Sequence, residues 1–146
     1  MHKTTLITGG LGYLGGRIAQ SLLATNKYKV IIGTRKNHKD LPKQLAGCDV
    51  VLIDLLEKNS IQKSLKGVDI IIHVAGMNAN ECAKNPSNAL LVNGLGTLNL
   101  VQAAENHNVD RFVLVSTDKA VNPANVMGAT KRIAEKIIQA KSKNSS

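Results

Sequence analysis

The chain has 146 residues, of which 43% are hydrophobic, so it suits one globular domain with a buried core and leaves no room for a second domain. Its 19 Lys and Arg residues against 10 Asp and Glu give a formal net charge of +9, but only 2% of residues are aromatic, which argues against stacking on nucleic acid bases. No stretch of about 18 apolar residues and no signal segment is present, so we expect a soluble, cytoplasmic protein with no membrane segment. Cys48 and Cys82 are isolated in the sequence and indicate neither a disulfide framework nor a metal site.

The apolar segments alternate between strand-like and helix-like patterns. In chain order they predict strand 4–8, helix 14–25, strand 29–34, strand 49–53, helix 58–66, strand 69–75, a long helix 87–107, strand 111–116 and helix 126–141. Such alternation implies right-handed crossovers and a parallel sheet covered on both faces. We therefore predict an α/β fold, a Rossmann-like doubly wound parallel sheet of strand order 3-2-1-4-5, in a domain of residues 1–141 followed by a polar tail at 142–146.

A glycine-rich turn joins the first strand to the first helix. Its candidate ligand-binding residues are Gly9, Gly10, Gly12, Tyr13, Leu14 and Gly15. Glycine tolerates a positive φ and lets the backbone approach a ligand, and the N–H groups at a helix start attract anions. With a strand before it and a helix after it, the turn predicts a dinucleotide site with the pyrophosphate at the helix start. A plain glycine-rich turn is the alternative.

The ends of the second and third strands suggest which dinucleotide is bound. NAD-binding proteins normally hold the ribose with a carboxylate at the end of the second strand, whereas this chain has Thr34, Arg35 and Lys36 there. Because arginine binds phosphate through two charge-assisted hydrogen bonds, we predict NADP in preference to NAD. The alternative is that Arg35 and Lys36 cap a surface turn. Asp54, next to Leu55, is a candidate acceptor for the adenine amino group, or else an ordinary turn residue.

Several segments together resemble the extended short-chain dehydrogenase/reductases. They are residues 8–15, 54–55, 73–76 and 92–97. The stretch at 115–123, continuing through 125–132, is similar to the bacterial UDP-N-acetylglucosamine 4,6-dehydratases of polysaccharide biosynthesis. The resemblance covers nearly the whole chain but only the amino-terminal Rossmann part of such enzymes, without the carboxyl-terminal portion that grips the nucleotide sugar.

The resemblance implies an NADP-dependent nucleotide-sugar dehydratase, in which a hydride leaves sugar C4, water is eliminated across C5 and C6, and the hydride returns to C6. By the same resemblance, the cofactor also contacts Val74, Ala75, Gly76, Asn93 and Lys131, and Lys131 holds the nicotinamide ribose. Thr117, with Ser116 beside it, bonds the C4 oxygen, and Asp118 and Lys119 form the acid/base pair. Taken without the surrounding motif, Asp118 and Lys119 read as a turn whose charges meet solvent.

Met127 stands where most of the superfamily has a tyrosine, four residues before the lysine. A thioether cannot transfer a hydroxyl proton, so tyrosine-type base chemistry is excluded at this position. The family's larger, membrane-associated dehydratases have the same methionine, and an ordinary apolar helix residue is the alternative.

Three function classes stay open at this point. The first is an enzyme acting on a UDP-sugar, either the 4,6-dehydratase or a 4-epimerase of the same superfamily. The second is a dinucleotide-binding module without catalysis, and the third is a structural fragment. The resemblance also implies a homodimer through helices 87–107 and 126–141.

Overall fold

The computed structural model describes residues 2–36 and 41–142. Its strands are β1 (Lys3–Thr8), β2 (Tyr28–Thr34), β3 (Asp49–Leu52), β4 (Ile70–His73) and β5 (Arg111–Leu114). Its helices are α1 (Tyr13–Ala24), α2 (Lys58–Ser64), α3 (Ala79–Lys84), α4 (Pro86–Ala89), a π-helical segment (Leu90–Leu95), α5 (Gly96–Asn106) and α6 (Val126–Ser142). Short 3₁₀ turns lie at Lys43–Leu45 and Asp118–Ala120.

The five strands form one parallel sheet in the order β3-β2-β1-β4-β5. Thr8, at the end of β1, lies level with Gly33 of β2 and His73 of β4. The predicted Rossmann-like fold and its strand order 3-2-1-4-5 are confirmed. Because the strand order reverses direction between β1 and β4, the crevice above their carboxyl ends is where such folds bind ligands.

Helices cover the sheet on both faces. Successive strand residues point to opposite faces, so Leu6 packs with α2 and α5 while Ile7 packs with α1. Leu100 of α5 lies at the centre of the first layer and Ala19 of α1 lies in the second, and all four side chains are fully buried. These two apolar layers hold the carboxyl ends of the strands in place.

Several element boundaries differ from those predicted from the sequence. β4 ends at His73 because the N–H groups of Val74 and Ala75 both turn to the Thr8 carbonyl, at 3.2 and 3.0 Å, which ends the regular ladder. The predicted helix 87–107 is divided by the π-helical segment, an irregularity that apolar periodicity does not reveal. α3 was not predicted at all, since its six residues are too few to show an apolar periodicity. Of the predicted tail, Ser142 ends α6 and residues 143–146 lie outside the described part of the chain.

Candidate functional site

The carboxyl ends of β1 to β4 open into a cavity of about 670 Å³. Most of the predicted cofactor residues line it: Gly9, Gly12, Tyr13, Leu14, Gly15, Thr34, Arg35, Asp54, Leu55, Val74, Ala75 and Gly76. Gly10, Lys36, Asn93 and Lys131 lie outside its wall. The cavity therefore occupies the crevice where this topology binds ligands, and it is in the size range of small-molecule sites.

The glycines of the turn are needed for close backbone packing. Gly9 has φ +72°, and a Cβ there would lie 2.8 Å from the backbone nitrogen of Ala75. A Cβ at Gly15 would overlap the Gly9 carbonyl and lie 2.8 Å from Cα of Gly10. Gly12 differs, because its Cβ would meet only the Gly9 carbonyl, at 3.3 Å. Gly12 therefore leaves bare backbone facing the cavity, a cradle that fits a phosphate group.

The start of α1 supplies unused hydrogen-bond donors to this cradle. The N-cap residue Gly12 has no side chain to cap the helix, and its own N–H is used by the Gly9 carbonyl at 3.0 Å. The backbone N–H groups of Tyr13, Leu14 and Gly15 have no hydrogen-bond acceptor within residues 2–36 and 41–142. A helix start with free N–H groups and a favourable dipole attracts anions. The site therefore fits the pyrophosphate of a dinucleotide.

At the other end of the cavity, the Thr34 hydroxyl turns the chain after β2. Thr34 Oγ1 accepts from the Lys36 backbone N–H at 3.3 Å, so Arg35 lines the cavity while Lys36 does not. In the part of the chain that the structure describes, no carboxylate forms an ion pair with Arg35. Asp54 Oδ1 accepts from the Leu56 N–H at 2.9 Å, and the same carboxyl group lies on the cavity wall. An arginine and an aspartate thus both line the cavity.

Lys131 of α6 lies directly behind the cavity rim formed by Gly76. A Cβ at Gly76 would lie 3.1 Å from Lys131 Nζ and 3.0 Å from Asn93 Oδ1. Lys131 Nζ donates to the Val115 carbonyl at 3.2 Å, and burial lowers the pKa of Lys131. Asn93 Oδ1 accepts from the Met77 N–H at 2.8 Å. The absence of a side chain at Gly76 therefore lets a partly desolvated ammonium approach the cavity.

Asn93 connects the π-helical segment to α6. It is 1% exposed, and its Nδ2 donates to Thr130 Oγ1 at 3.0 Å. The Thr130 hydroxyl in turn donates to the Met127 carbonyl at 3.0 Å. In this arrangement Asn93 holds the helix that carries Lys131 rather than lining the cavity.

Ser116 does not line the cavity, and its hydroxyl forms a hydrogen bond to a residue of α6. Its hydroxyl donates to Glu135 Oε1 at 2.7 Å, and Arg132 Nη1 donates to Glu135 Oε2 at 2.8 Å. The Ser116 bond, followed by the bond from Arg132, lowers the pKa of the Glu135 carboxyl. These contacts tie the end of β5 to α6, one helical turn beyond Lys131.

Thr117, Asp118 and Lys119 follow β5, with Thr117 half-buried and the other two exposed. The Thr117 hydroxyl donates to Asp118 Oδ1 at 3.0 Å, and Lys119 Nζ lies 3.4 Å from the same oxygen. The Thr117 bond and the Lys119 charge lower the pKa of Asp118, whose side chain is 86% exposed. None of the three residues is part of the cavity wall, and Asp118 and Lys119 pair with each other in an exposed turn.

Met127 lies one helical turn before Lys131 on α6 and is half-buried. Residues four apart share one face of a helix, so the two side chains project from the same side of α6. Gly128 packs against the Lys119 carbonyl, and its N–H donates to Asn125 Oδ1 at 2.8 Å. The start of α6 is thereby held against the Asp118–Ala120 turn, next to the residues predicted to be catalytic.

Ten residues of the cavity wall were not among the predicted binding residues: Thr8, Leu11, Gly33, Ile53, Leu56, Met77, Asn78, Glu81, Asn88 and Val92. Asn78 and Glu81 form a reciprocal capping box at the start of α3, with both hydrogen bonds at 3.0 Å. Asn88 Nδ2 donates to Met77 Sδ at 3.4 Å. The spacing Asn-x-x-Glu is a known helix-start signal and could have located α3.

Further features of the described residues limit other functions. Cys48 and Cys82 are both buried. Residues 2–36 and 41–142 contain no group of three or more His, Cys, Asp or Glu side chains placed to hold a metal ion. No helix in this part of the chain is both long enough and apolar enough to cross a membrane.

Comparisons with known proteins agree with this fold. Residues 5–146 match the model of the family described as "Polysaccharide biosynthesis protein". The chain is 35% identical to the capsular polysaccharide biosynthesis protein CapD of Staphylococcus aureus, over 99% of this chain and 26% of that protein. It is 34% identical to a UDP-glucose 4-epimerase of Rickettsia bellii, over 98% of this chain and 45% of that protein. It is also 34% identical to the uncharacterized membrane protein MJ1061 of Methanocaldococcus jannaschii, over 92% of this chain and 42% of that protein.

Solved structures show the same architecture. Pen from Bacillus thuringiensis superimposes with a TM-score of 0.85 at 29% identity, covering 99% of this chain and 47% of that one. The UDP-glucose 4-epimerase of Brucella ovis, solved in complex with NAD, shares the fold with a TM-score of 0.82 at 22% identity, covering 94% of this chain and 47% of that one. The chain thus spans less than half the length of these relatives. Sequence, fold and family match together show that the chain belongs to the polysaccharide biosynthesis protein family, within the epimerase/dehydratase group of Rossmann-fold proteins.

Proposed function

We propose that this chain carries the NADP-binding part of a nucleotide-sugar 4,6-dehydratase that acts on a UDP-N-acetylglucosamine-type substrate. The observation that carries the proposal is the 670 Å³ cavity, which has an uncapped helix start on its wall and the partly buried Lys131 behind its rim. The family match and the similarity to CapD support a role in polysaccharide biosynthesis.

The cofactor's share of the chemistry is limited to hydride transfer, which a nicotinamide supplies when bound. The N–H groups of Tyr13, Leu14 and Gly15 would hold the pyrophosphate, and Asp54 would accept from the adenine amino group. Lys131 would donate to the nicotinamide ribose and place a positive charge beside it. Burial lowers the pKa of Lys131, so the negative charge of a bound dinucleotide beside it would favour the ammonium form.

We further propose that Arg35 selects NADP over NAD. Arg35 lines the cavity at the end of β2 and no carboxylate in the described residues pairs with it, so its guanidinium is available to a 2′-phosphate. Lys36 lies outside the wall, so this role falls to Arg35 alone.

For the sugar chemistry, we assign the C4 oxygen to Thr117 and the acid/base steps to Asp118 and Lys119. Asp118 is held as a carboxylate, the form that can accept a proton, although its lowered pKa makes it a weak base in the free turn. The neighbouring Lys119 ammonium can donate a proton. Ser116 was predicted to act beside Thr117; because its hydroxyl hydrogen is donated to Glu135, we assign it the role of holding the end of β5 against α6.

Two alternatives keep specific support. The Rickettsia relatives named UDP-glucose 4-epimerase cover 98% of this chain, which favours an epimerase, whereas Met127 cannot transfer the proton that tyrosine-type chemistry needs. The solvent-facing turn of Asp118 and Lys119 favours a dinucleotide-binding module without catalysis. The products formed from a UDP-sugar discriminate between all three.

We also propose a homodimer through the two long helical stretches. Leu90, Leu91 and Leu95 are between 43 and 49% exposed on the helical stretch before α5, and Ile133 is 42% exposed on α6. Gly94 lies against α6, because a Cβ there would lie 3.7 Å from the side chain of Ile133. A monomeric mass in light scattering at working concentration would contradict this proposal.

A cytoplasmic location stays a prediction.

The test is incubation of the purified chain with NADP and UDP-N-acetylglucosamine, followed by mass and NMR analysis of the sugar. A 4-keto-6-deoxy product, formed with loss of one water, is the expected result. A 4-epimer of unchanged mass would establish the epimerase instead. Binding of NADP without any product would show that the chain binds the dinucleotide but does not complete the reaction on its own.

A further inference from the structure

His73, the last residue of β4, is a fully buried polar side chain that the proposed chemistry does not use. It is 1% exposed, and its ring meets the ring of Phe112 edge-on at a centroid distance of 6.1 Å. Its Nδ1 lies 2.7 Å from Thr8 Oγ1, and its Nε2 lies 3.0 Å from Thr97 Oγ1. Both ring nitrogens are therefore satisfied by threonine hydroxyls on opposite sides.

The neighbouring bonds determine which ring nitrogen carries the proton. The Thr97 hydroxyl donates its one hydrogen to the backbone carbonyl of Asn93 at 2.8 Å, and a carbonyl oxygen can only accept a hydrogen bond. Thr97 must therefore accept from His73, which places the hydrogen on Nε2. A neutral imidazole then has a lone pair on Nδ1, so the Thr8 hydroxyl donates to it. The result is a single directed chain of bonds from Thr8 through His73 and Thr97 to Asn93.

This chain of bonds joins two parts of the site. Thr8 lines the cavity directly before the glycine turn, and its carbonyl accepts the Ala75 N–H at 3.0 Å. Asn93, at the other end, holds Met77 on one side and α6 with Lys131 on the other. His73 thus lies between the floor of the cavity and the helices that carry the charged groups.

The surroundings keep His73 neutral. Burial, with a smaller contribution from the Lys131 charge, lowers the pKa of His73 to about 3. If His73 were protonated, its Nδ1 would also carry a hydrogen, and the Thr8 hydroxyl could no longer donate to it. The directed chain of bonds is consequently stable through the physiological pH range.

We propose that His73, in its Nε2–H form, is a positioning residue that orients the Thr8 hydroxyl and thereby fixes the glycine turn for the dinucleotide. Its contribution comes through Thr8, since the imidazole itself is not part of the cavity wall. The proposal rests on the proposed dinucleotide site, whereas the tautomer of His73 can be measured without any ligand.

Two variants separate positioning from simple filling of space. The side-chain oxygen of asparagine reaches the position of Nδ1, whereas the glutamine amide reaches the position of Nε2. His73→Asn should therefore keep the acceptor for Thr8 and bind NADP within about threefold of the wild-type affinity. His73→Gln, nearer in volume to histidine, should lose about tenfold, which corresponds to one hydrogen bond of about 1.4 kcal/mol. Equal affinity of both variants, or the reverse order, would overturn the proposal.

The spectroscopic test uses the ligand-free chain labelled with ¹⁵N at histidine. The wild type should show one neutral Nε2–H tautomer for His73 at neutral pH. Thr97→Val, which removes the acceptor on Nε2, should shift His73 toward the Nδ1–H form and lower NADP affinity. An Nδ1–H tautomer in the wild type, or unchanged affinity in Thr97→Val, would overturn the proposal.

The two proposals fail in different ways. If the wild type binds neither NADP nor NAD, the dinucleotide site and the role of His73 both fall. If the wild type binds NADP but the Asn, Gln and Val variants bind it equally well, only the role of His73 falls.

Discussion

Gly9→Ala should disrupt the turn that forms the floor of the cavity. Gly9 has φ +72°, a left-handed conformation that costs an alanine about 1–2 kcal/mol. An added Cβ would also lie 2.8 Å from N and 2.9 Å from Cα of Ala75, and these backbone atoms cannot move without shifting the end of β4. Overpacking of this kind costs about a further 1–3 kcal/mol. We therefore expect a total loss of about 2–5 kcal/mol in the free energy of unfolding.

Gly67→Ala is the matched control for this prediction. Gly67 has the same φ of +72°, but a Cβ there would have no atom within 4 Å. It should therefore show the conformational cost alone, about 1–2 kcal/mol. Urea unfolding of both variants measures the difference, and calorimetry should show loss of NADP binding only in Gly9→Ala. Equal destabilisation of the two variants would refute the close approach of Gly9 to β4.

Other predictions follow from single contacts. Arg35→Ala should weaken NADP binding about tenfold in calorimetry and leave NAD binding unchanged, since one charge-assisted contact to the 2′-phosphate is lost. Lys36→Ala is the control. An equal loss of NADP affinity in the two variants would contradict the assignment of Arg35. Because His73 has a pKa of about 3 when folded and 6.5 when unfolded, the unfolded chain takes up the proton first as pH falls. Its contribution to stability should then fall by about 1.4 kcal/mol per pH unit between about pH 6.5 and 3, and His73→Asn should lack this slope in urea titrations. Asn78→Ala should lower the stability of α3 by about 1 kcal/mol through loss of its capping box, seen as faster amide exchange in that helix; unchanged exchange would show that the cap is not needed.

Much of the fold could be predicted because the relevant signals are local. The apolar strands and the glycine turn identified β1, α1 and the sheet order, and glycine was the only residue type that fits the close contacts at Gly9 and Gly15. The residues at which β4 and β5 end could not be predicted, because they depend on which carbonyl each backbone N–H bonds to in the folded chain. The π-helical segment escaped for a similar reason, as apolar periodicity does not detect one extra residue per turn.

The candidate site was predicted in part. Residues at strand ends, such as Arg35 and Asp54, reach the cavity because parallel strands bring their carboxyl ends to one edge. The side-chain hydrogen bonds of Ser116 and Asn93 could not be predicted, because their partners, Glu135 and Thr130, are distant in sequence. His73 was noticed only as part of a motif, and its tautomer follows from bonds that need three-dimensional contacts.

Calorimetric titration of the purified chain with NADP and then NAD tests the central claim most directly, because every proposal depends on a dinucleotide in this cavity. We predict that both dinucleotides bind, with NADP the tighter, and that Gly12→Ala weakens both because its Cβ intrudes where the pyrophosphate lies. If neither dinucleotide binds to a chain that circular dichroism shows to be folded, the cavity is not a dinucleotide site and the account is contradicted.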